Sequence, residues 1–498
     1  MRGKVVLFYP RYEGPALGAP LCLLSLASPL LQAGFEVRIV DAAVVPNWES
    51  KILTEIQDAL CLGISVLTGP MIRGAVRVAK AAKRTRPDMP VIFGGWHPSL
   101  LPDQTLREHY VDAVVRGQGE LTLLEIATRL SEGKSYSDVA GVSSKNSLFA
   151  CHSPERRVAL LDDLPRPAYE LADFDAYERA SGMRKLPYAT SVGCPYACNY
   201  CTDMVFYKRR FNALAPERVI SEVTDLVDHY RIAEVAMLDS NLPVDWRRAL
   251  EIAKGFLESK LRFRWTFQAS TDFLCRMSDD DVRMLGESGV THMGFGTEST
   301  SENVLKIMNK RHQRVNEMYE TARKAAVGGI HVTFNLIFGY PGEVESDRIE
   351  TVRTMSDIAR QFWNVSFSPN LFTPYPGIPI WPQLRELGLR EPQSLQEWAG
   401  LTLGRNMLPW LQGEELERLR RMLQFFLLNN QIRKATNNHP RLRHGLRKLL
   451  GAPLRWRIRA NRYSFPWELW VAKKFERFAT RRSLLTGQVL STETQEVC

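Results

Sequence analysis

The sequence predicts an α/β protein with a doubly wound, Rossmann-like parallel sheet at its N-terminus, then a partial (β/α)6 barrel and a helical C-terminal extension. Two observations carry this fold class. Short apolar strands alternate with helices up to about residue 132 and again, for six rounds, between residues 186 and 375. Such alternation folds into right-handed βαβ units and a parallel sheet. A chain of 498 residues, 45% of them hydrophobic, is long enough to bury several cores.

Residues 1–132 carry five apolar runs that predict strands: Val5–Tyr9, Glu36–Asp41, Cys61–Val66, Val91–Gly94 and Ala113–Arg116. Helices are predicted between them over Leu21–Ala33, Ile72–Arg84 and Glu120–Ser131. A parallel sheet binds ligands at the carboxyl ends of its strands. Glycines let a ligand approach the backbone there, and three strand ends carry them: Ser65–Gly69, Gly94–Pro98 and Gly117–Glu120. No G-x-G-x-x-G fingerprint follows the first strand, so a dinucleotide cofactor is not expected.

Residues 133–185 predict a hairpin near 140–160 and then a linker, and residues 186–375 predict the barrel. The barrel strands are predicted at Pro187–Val192, Glu234–Asp239, Phe263–Ala269, His292–Thr297, Val332–Phe338 and Val365–Leu371. The barrel helices are predicted at Pro216–Tyr230, Asp245–Ser259, Ser278–Glu287, Arg314–Gly328 and Glu345–Phe362. Functional residues of such barrels lie on loops at the C-terminal strand ends. Residues 376–498 predict a helical, basic region with one helix over Glu414–Ile432.

Three cysteines follow the first barrel strand within eight residues: Cys194, Cys198 and Cys201. One loop can turn thiolates at this spacing onto one soft metal centre. A structural zinc site closes with four ligands, and no second pair of matching spacing appears downstream. A 4Fe–4S cluster also takes four ligands, so three thiolates leave one iron open for a cofactor or a substrate.

The spacing of these cysteines, with Tyr200 just before the last of them, resembles the cluster loop of the radical S-adenosylmethionine (SAM) superfamily. The first domain resembles the cobalamin-binding domain that precedes many such barrels, through residues 17–21, 94–98 and 117–120. The resemblance covers roughly residues 1–375. It implies three cofactors, which are a 4Fe–4S cluster, SAM and cobalamin.

Carried over by position, the resemblance implies that six residues contact SAM: Tyr200, Asp239, Gln268, Ser270, Glu298 and Gly339. It implies that cobalamin lies over Ser65, Leu67, Thr68, Gly69, Gly94, Gly95, His97, Gly117, Gln118, Gly119 and Glu120. The Asp-x-His-x-x-Gly signature, whose histidine binds cobalt from below, is absent. Cobalamin is therefore expected without that ligand, its lower face covered by the Leu67–Gly69 segment. His97 sits in a turn before Pro98, which favours a structural role for its side chain.

The function implied by the resemblance is reductive cleavage of SAM to a 5′-deoxyadenosyl radical, which takes a hydrogen atom from an unactivated carbon of a small-molecule substrate. An external donor such as a flavodoxin or a ferredoxin would supply the electron. C-methylation by methylcobalamin is the leading outcome, and cyclisation or ring rearrangement is the alternative. A methylthiotransferase would need a second cysteine cluster, and a zinc-binding protein without activity would leave the strand-end pattern unexplained, so both are disfavoured.

The formal net charge of +10 is concentrated in the C-terminal tail, where residues 436–482 hold 13 Lys and Arg against two Glu. An apolar stripe recurs there at helical spacing: Trp467, Trp470, Val471, Phe475 and Phe478. We expect this stripe to pack on the barrel. Contact with an anionic membrane surface, and with it a lipid-like substrate, is the alternative. No nucleic acid is expected as a partner, because no RNA-binding fold signature is present.

The location implied by the sequence is the cytoplasm, or the inner face of the membrane if the tail binds there. Cysteines outside the triad are scattered, which is typical of a reducing compartment. Cys22 and Cys61 lie in apolar runs and are expected to be buried. No signal peptide is evident. The uncharged run Gly14–Phe35 contains three prolines, which favours a buried helix over a membrane span.

Overall fold

A computed structural model of the chain describes residues 2–12, 18–146, 149–401, 408–438 and 451–470. The N-terminal part forms one seven-stranded sheet from β1 Lys4–Tyr9, β2 Glu36–Asp41, β3 Ala59–Ser65, β4 Val91–Gly94, β5 Ala113–Val115, β6 Val142–Asn146 and β7 Phe149–His152. The strand order is β2-β1-β3-β4-β5-β6-β7, with the first five strands parallel and the last two antiparallel. The hairpin predicted near 140–160 thus extends this sheet.

The helices of the N-terminal part cover the sheet: α1 Leu21–Gln32, α2 Trp48–Glu55, α3 Met71–Thr85, α4 Trp96–Leu100, α5 Pro102–Leu106 and α6 Glu120–Ser131. Helix α3 shows why. Its buried residues Ile72, Ala75, Val78, Ala79 and Ala82 recur every three or four positions and form one apolar stripe. The opposite face carries Arg and Lys. Burial of the stripe against the sheet therefore fixes the side on which α3 packs.

A short connection leads from this sheet to the barrel and contains α7 Phe174–Ser181. Two buried tyrosines hold it. The Tyr177 hydroxyl donates to Asp41 Oδ2 at 2.7 Å, at the end of β2. The Tyr169 hydroxyl donates to the carbonyl oxygen of Pro187 at 2.7 Å, in the first barrel strand. The connection is therefore hydrogen-bonded to both units.

The barrel part contains β8 Lys185–Tyr188, β9 Ser191–Val192, β10 Asn212–Ala213, β11 Glu234–Met237, β12 Arg264–Ala269, β13 Val290–Glu298, β14 His331–Phe338 and β15 Val365–Leu371. Strands β8 and β11–β15 form one parallel sheet in sequence order, as the six predicted rounds require. The predicted first strand, Pro187–Val192, was wrong in its second half. Ser191 and Val192 leave the sheet and pair with β10 as a separate antiparallel ribbon.

The helices of the barrel part are α8 Thr202–Phe206, α9 Pro216–Tyr230, α10 Trp246–Glu258, α11 Asp272–Cys275, α12 Asp279–Glu287, α13 Glu302–Ile307, α14 Glu317–Val327 and α15 Glu345–Gln361. Helix α9 matches its predicted bounds, because Pro216 occupies the first turn and an apolar stripe follows. Helix α14 begins at Glu317 and not at the predicted Arg314. The extra residues belong to a long segment between β13 and α14 that the functional site uses.

The C-terminal region contains α16 Trp381–Glu386, α17 Leu395–Trp398, α18 Gly413–Asn438 and α19 Ala452–Ala460. Helix α18 packs on the barrel through buried Phe425 and Phe426, the latter 5.1 Å from the ring of Phe367 in β15. The predicted α/β fold class, with its two units and helical extension, is confirmed. No helix within the described ranges is long and apolar enough to span a membrane.

The predicted packing of the tail stripe is wrong for its first two members, Trp467 and Trp470, which are 46% and 60% exposed. The inward position is taken by Arg457, whose Nε donates to buried Glu468 Oε1 at 2.6 Å. That buried ion pair turns the neighbouring aromatic side chains outward. The other stripe residues, Val471, Phe475 and Phe478, lie outside the described residues.

Candidate functional site

The loop that carries the three cysteines, residues 189–201, starts with a hydrogen-bonded turn at the end of the first barrel strand. The buried carboxylate of Asp239, just after β11, accepts from the Thr190 amide at 3.1 Å and from the Thr190 hydroxyl at 2.6 Å. The Ser191 hydroxyl donates to the same carboxylate. Both carboxylate oxygens are therefore engaged by the protein. These hydrogen bonds fix the start of the loop, and contact between Asp239 and SAM stays a prediction.

Gly193 makes the next bend possible. Its φ is +78°, and a Cβ at this position would lie 2.0 Å from the carbonyl oxygen of Arg210. Only glycine combines that dihedral angle with that close approach of two backbones. Cys194 follows directly, so the bend sets the direction in which the cysteine loop leaves the barrel.

The outer side of the cysteine loop is held by the segment that follows α13. Asn199 Nδ2 donates to the carbonyl oxygen of Ile307 at 2.8 Å, and Asn309 Nδ2 donates to that of Ala197 at 2.7 Å. The Tyr340 hydroxyl donates to Asn199 Oδ1 at 2.6 Å. The loop is thus anchored from two further strand ends before any ligand is bound.

The three thiols lie in partly or fully buried surroundings on this anchored loop. Burial raises the pKa of all three, that of Cys201 to about 12. Thiolates, and not thiols, bind metals, so metal binding here must displace three protons. Cys198 is the most buried of the three, and Tyr200 extends from the same turn toward the barrel.

Tyr200, Glu298 and Lys310 form one buried cluster beside the cysteines. The Tyr200 hydroxyl donates to Glu298 Oε1 at 3.1 Å, and Lys310 Nζ lies 3.6 Å from the same oxygen. Burial by itself lowers the pKa of Lys310, but the charges of Glu298 and the cysteines more than offset this, and its pKa is raised. Lys310 therefore stays a cation beside the thiols.

Strand β13 leaves space for two of the predicted SAM residues. A Cβ on Gly294 would lie 2.3 Å from Gln268 Oε1, and one on Gly296 would lie 2.9 Å from Glu298 Oε1. Both side chains therefore lean over glycines of β13, on one face of the sheet. A register shift between Gly296 and Glu298 and a φ of +62° at Glu298 aim that carboxylate at the cysteine loop.

The two remaining SAM candidates differ in what the protein already bonds to them. Ser270 is buried, and its amide donates to Asn241 Oδ1 at 3.2 Å. The amide of Gly339 donates to Glu343 Oε2 at 2.6 Å, and its carbonyl accepts from Trp410 Nε1 at 2.9 Å. Glu343 and the C-terminal region thus bond both backbone polar groups of Gly339, and its contact with SAM stays a prediction.

The carboxyl ends of β3, β4 and β5 lie side by side and bring the predicted strand-end turns together. Gly95 has a φ of +90°, and a Cβ there would lie 2.9 Å from the carbonyl oxygen of Val66. The Gly117 amide donates to Ser99 Oγ at 3.0 Å, and the position that a Cβ of this residue would occupy is open space. Gln118 Oε1 accepts from the amide of Ala159 at 2.7 Å, which makes this side chain a support for the connection.

His97 is fully buried behind these turns. Its Nδ1 lies 3.0 Å from the Thr68 hydroxyl, and its ring meets the edge of Trp398 at 6.0 Å. Burial lowers the pKa of His97 to about 3, so the ring is neutral. Its side chain does not reach the surface between the strand-end turns.

We call the surface between the strand-end turns the strand-end cleft. Cys22 lies on it, and its predicted burial is wrong, because its side chain is exposed, with Sγ 3.6 Å from Ser65 Oγ. Glu120, in the last of these turns, is half-buried. Cys61 is fully buried, as predicted.

The first sheet and the barrel meet at an aromatic contact. Trp96, which follows the Gly94–Gly95 turn, stacks on Phe206 with ring centroids 4.4 Å apart and planes at 22°. Phe206 ends α8, the helix that begins directly after Cys201. The carboxyl-end edge of the first sheet therefore lies against the cysteine loop of the barrel, and a molecule between them would contact both.

Comparison with known proteins identifies both units. A family model described as a B12 binding domain matches residues 4–127, and one described as the radical SAM superfamily matches residues 188–355. An uncharacterized methyltransferase of Pyrococcus horikoshii is 30% identical over 390 residues, which cover 76% of this chain and 82% of that protein. The chain belongs to the cobalamin-binding radical SAM enzymes.

Other members of these cobalamin-binding radical SAM enzymes differ in their reactions. The anaerobic magnesium-protoporphyrin IX monomethyl ester cyclase of Rubrivivax gelatinosus is 23% identical over 392 residues, covering 75% of this chain and 68% of that enzyme. The structure of the cobalamin-dependent SAM radical enzyme OxsB, with aqua-cobalamin bound, matches 99% of this chain and 82% of its own at 15% identity, with a TM-score of 0.71. The fold is therefore shared over almost the whole of this chain.

The donor set of this cobalamin-binding radical SAM enzyme fits its cofactors, a 4Fe–4S cluster, SAM and cobalamin. Within the described residues, no three His, Cys, Asp or Glu side chains converge on a point where one metal ion would sit. A 4Fe–4S cluster needs no such convergence, because each thiolate binds a different iron. Three soft thiolates on an anchored loop suit that cluster, and the open cleft at the first sheet suits a large flat cofactor.

Sequence reasoning missed Lys310, together with Asn199, Asn309 and Tyr340. One signal was available. The segment between Glu298 and Glu317 is long for a βα connection and holds a polar, basic run over residues 309–314. Such a connection at a functional strand end is where binding residues concentrate.

Proposed function

We propose that this enzyme methylates an unactivated carbon of a small-molecule substrate held between its first sheet and its barrel. One observation carries the proposal. The Trp96–Phe206 contact joins the edge of the cobalamin-binding sheet to the helix that follows Cys201. The bound cofactors would supply reductive SAM cleavage, hydrogen-atom abstraction and the methyl group. The chain binds and orients them and excludes water from the space between.

Each cofactor is assigned to named groups at the strand ends and on the cysteine loop. Cys194, Cys198 and Cys201 would hold the cluster. Tyr200 and Glu298, supported by Lys310, would meet the polar end of SAM, and Gln268 reaches the same face of the sheet across Gly294. Ser270 remains a weaker candidate, since its amide is already bonded.

Cobalamin would lie over the turns at Ser65–Gly69, Gly94–Gly95 and Gly117–Glu120, in the cleft that exposes Cys22. Leu67 and Thr68 are half-buried, and the Leu67–Gly69 segment would face its lower side. His97 supports this segment through Thr68 and does not enter the cleft.

We expect no protein nitrogen on cobalt in the cobalamin-loaded enzyme. Electron paramagnetic resonance of its cob(II)alamin form should lack axial nitrogen coupling, and His97→Asn should leave the spectrum unchanged. The reason is that the imidazole is buried and bonded to Thr68. Nitrogen coupling that disappears in His97→Asn would contradict this arrangement.

Cyclisation remains the second candidate, because a cyclase is among the relatives. An anaerobic assay with SAM labelled in its methyl group separates the two reactions. Methyl transfer places the label in the product and yields S-adenosylhomocysteine with 5′-deoxyadenosine. Cyclisation yields 5′-deoxyadenosine with no label in the product, and that result with an accepted substrate would overturn the proposed methyl transfer.

We also propose a cytoplasmic enzyme whose tail touches the inner membrane surface. Exposed Trp456 and Trp467 flank the Arg457–Glu468 ion pair, and exposed aromatic residues beside cations suit an anionic lipid interface. Each Lys or Arg near such a surface contributes about 1 kcal/mol. The enzyme should sediment with anionic vesicles at low salt and be released at high salt. A lack of sedimentation would rule out the membrane contact and, with it, the reason to expect a lipid-like substrate.

A further inference from the structure

The outer side of the cysteine loop is covered by the segment between α13 and α14. Besides the asparagine contacts described above, one ring contact links the two. Tyr196, between Cys194 and Cys198, stacks on His312 with ring centroids 3.6 Å apart and planes at 3°. Burial lowers the pKa of His312 to about 4, so this stack is uncharged near neutral pH. It leads from the loop directly into the basic part of the segment.

Three exposed cations lie at the end of α13 and in the segment after it: Lys306, Arg311 and Arg314, which we call the basic rim. In the described part of the chain, none of their side chains has an ion pair or a side-chain hydrogen bond, whereas nearby Lys310 is buried against Glu298. The basic rim lines an open groove of about 930 Å³, in which Glu302 is the one acidic residue among the described lining residues. The fold itself makes no use of these three charges.

We propose that the basic rim docks the acidic protein that delivers electrons to the cluster. This inference rests on the proposed function, which requires a reduced cluster. Exposed cations raise the association rate of an acidic partner more than they raise its affinity. Redox complexes need only small interfaces, so a short rim is sufficient. A small anion would instead be expected in a site with buried, converging donors.

The electron balance is simple. A reduced carrier with a flavin or iron–sulfur centre loses one electron, the cluster gains it, and no proton or bond is transferred. The carrier would dock on the segment that follows α13, which contacts the cysteine loop through Asn309 and His312.

The test uses the cluster-loaded enzyme without substrate and follows cluster bleaching by stopped flow, with reduced flavodoxin as the acidic carrier. The variant Lys306→Glu/Arg311→Glu/Arg314→Glu should slow bleaching at low salt by about 10-fold or more. Its salt dependence should weaken as well. Bleaching by photoreduced deazaflavin, a small reductant that needs no docking surface, should stay at the wild-type rate.

The matched control reverses three exposed cations at the opposite, amino-terminal end of the barrel strands: Arg231→Glu/Lys260→Glu/Arg262→Glu. It should bleach at the wild-type rate with both reductants. Equal slowing in the two triple variants, or wild-type bleaching in the rim variant, would overturn the docking site. Methyl transfer driven by deazaflavin tests the proposed function separately, so the two ideas fail independently.

Discussion

Replacing Cys194, Cys198 or Cys201 with Ala should remove the iron–sulfur absorbance and all 5′-deoxyadenosine formation. The expected loss is complete because the loop supplies only three thiolates, and two cannot retain a cluster that already lacks a fourth protein ligand. Anaerobically reconstituted wild-type protein should hold about four irons per chain with matching labile sulfide. Each variant should hold almost none by the same analysis.

The matched control is Cys275→Ala. Cys275 is half-buried in the same barrel, and its thiol donates to the carbonyl oxygens of Thr271 and Glu317 away from the cysteine loop. This variant should keep full iron and sulfide content. A complete cluster in any of the three loop variants would refute their assignment as ligands.

Lys310→Met should lower the free energy of unfolding of the apoprotein by about 3 kcal/mol. The substitution leaves the carboxylate of Glu298 buried without its cation, and breaking a buried ion pair from one side costs about 3–5 kcal/mol. The lower end is expected because the Tyr200 hydroxyl still donates to Glu298. Urea unfolding monitored by circular dichroism measures the loss.

Two further variants show whether the ion pair is the cause. Glu298→Gln in the Lys310→Met background removes the unpaired charge and should recover most of the stability. Lys306→Met, an exposed neighbour without an ion pair in the described structure, should change stability by no more than about 0.5 kcal/mol. The two charges would not interact if the loss in the double variant equalled the sum of the losses in Lys310→Met and in Glu298→Gln alone.

The strand ends predicted from the sequence lie at one edge of each sheet, but the hydrogen bonds of several of their residues were not predicted. Glu298 and Gln268 lie on one face of the barrel sheet because β13 carries glycines opposite both. Asp239 and Gly339 occupy the predicted strand ends, yet their polar groups bond to Thr190 and Glu343. A strand end can be located from the apolar pattern of its own strand, whereas the hydrogen-bond partners come from other strands.

The opposite errors at Cys22 and at the tail have the same origin. An apolar run predicts burial of the element as a whole, but Cys22 lies at the first turn of α1, where the sheet edge opens into a cleft. In the tail, Arg457 takes the inner position through its ion pair with Glu468, and Trp467 faces outward. Periodicity alone does not show which face meets a partner.

The sequence by itself determined the two α/β units, the succession of strands and helices along the chain and the position of the three cysteines, because the periodicity of strands and helices and the spacing of ligands are local properties. Tertiary structure alone decided that Lys310 lies beside Glu298, that Asp239 fixes the cysteine loop and that Trp96 meets Phe206. Those pairs are formed by separate strand ends and by two different units of the chain. Their contacts arise only when parallel strands align their carboxyl ends at one edge, which no single segment encodes.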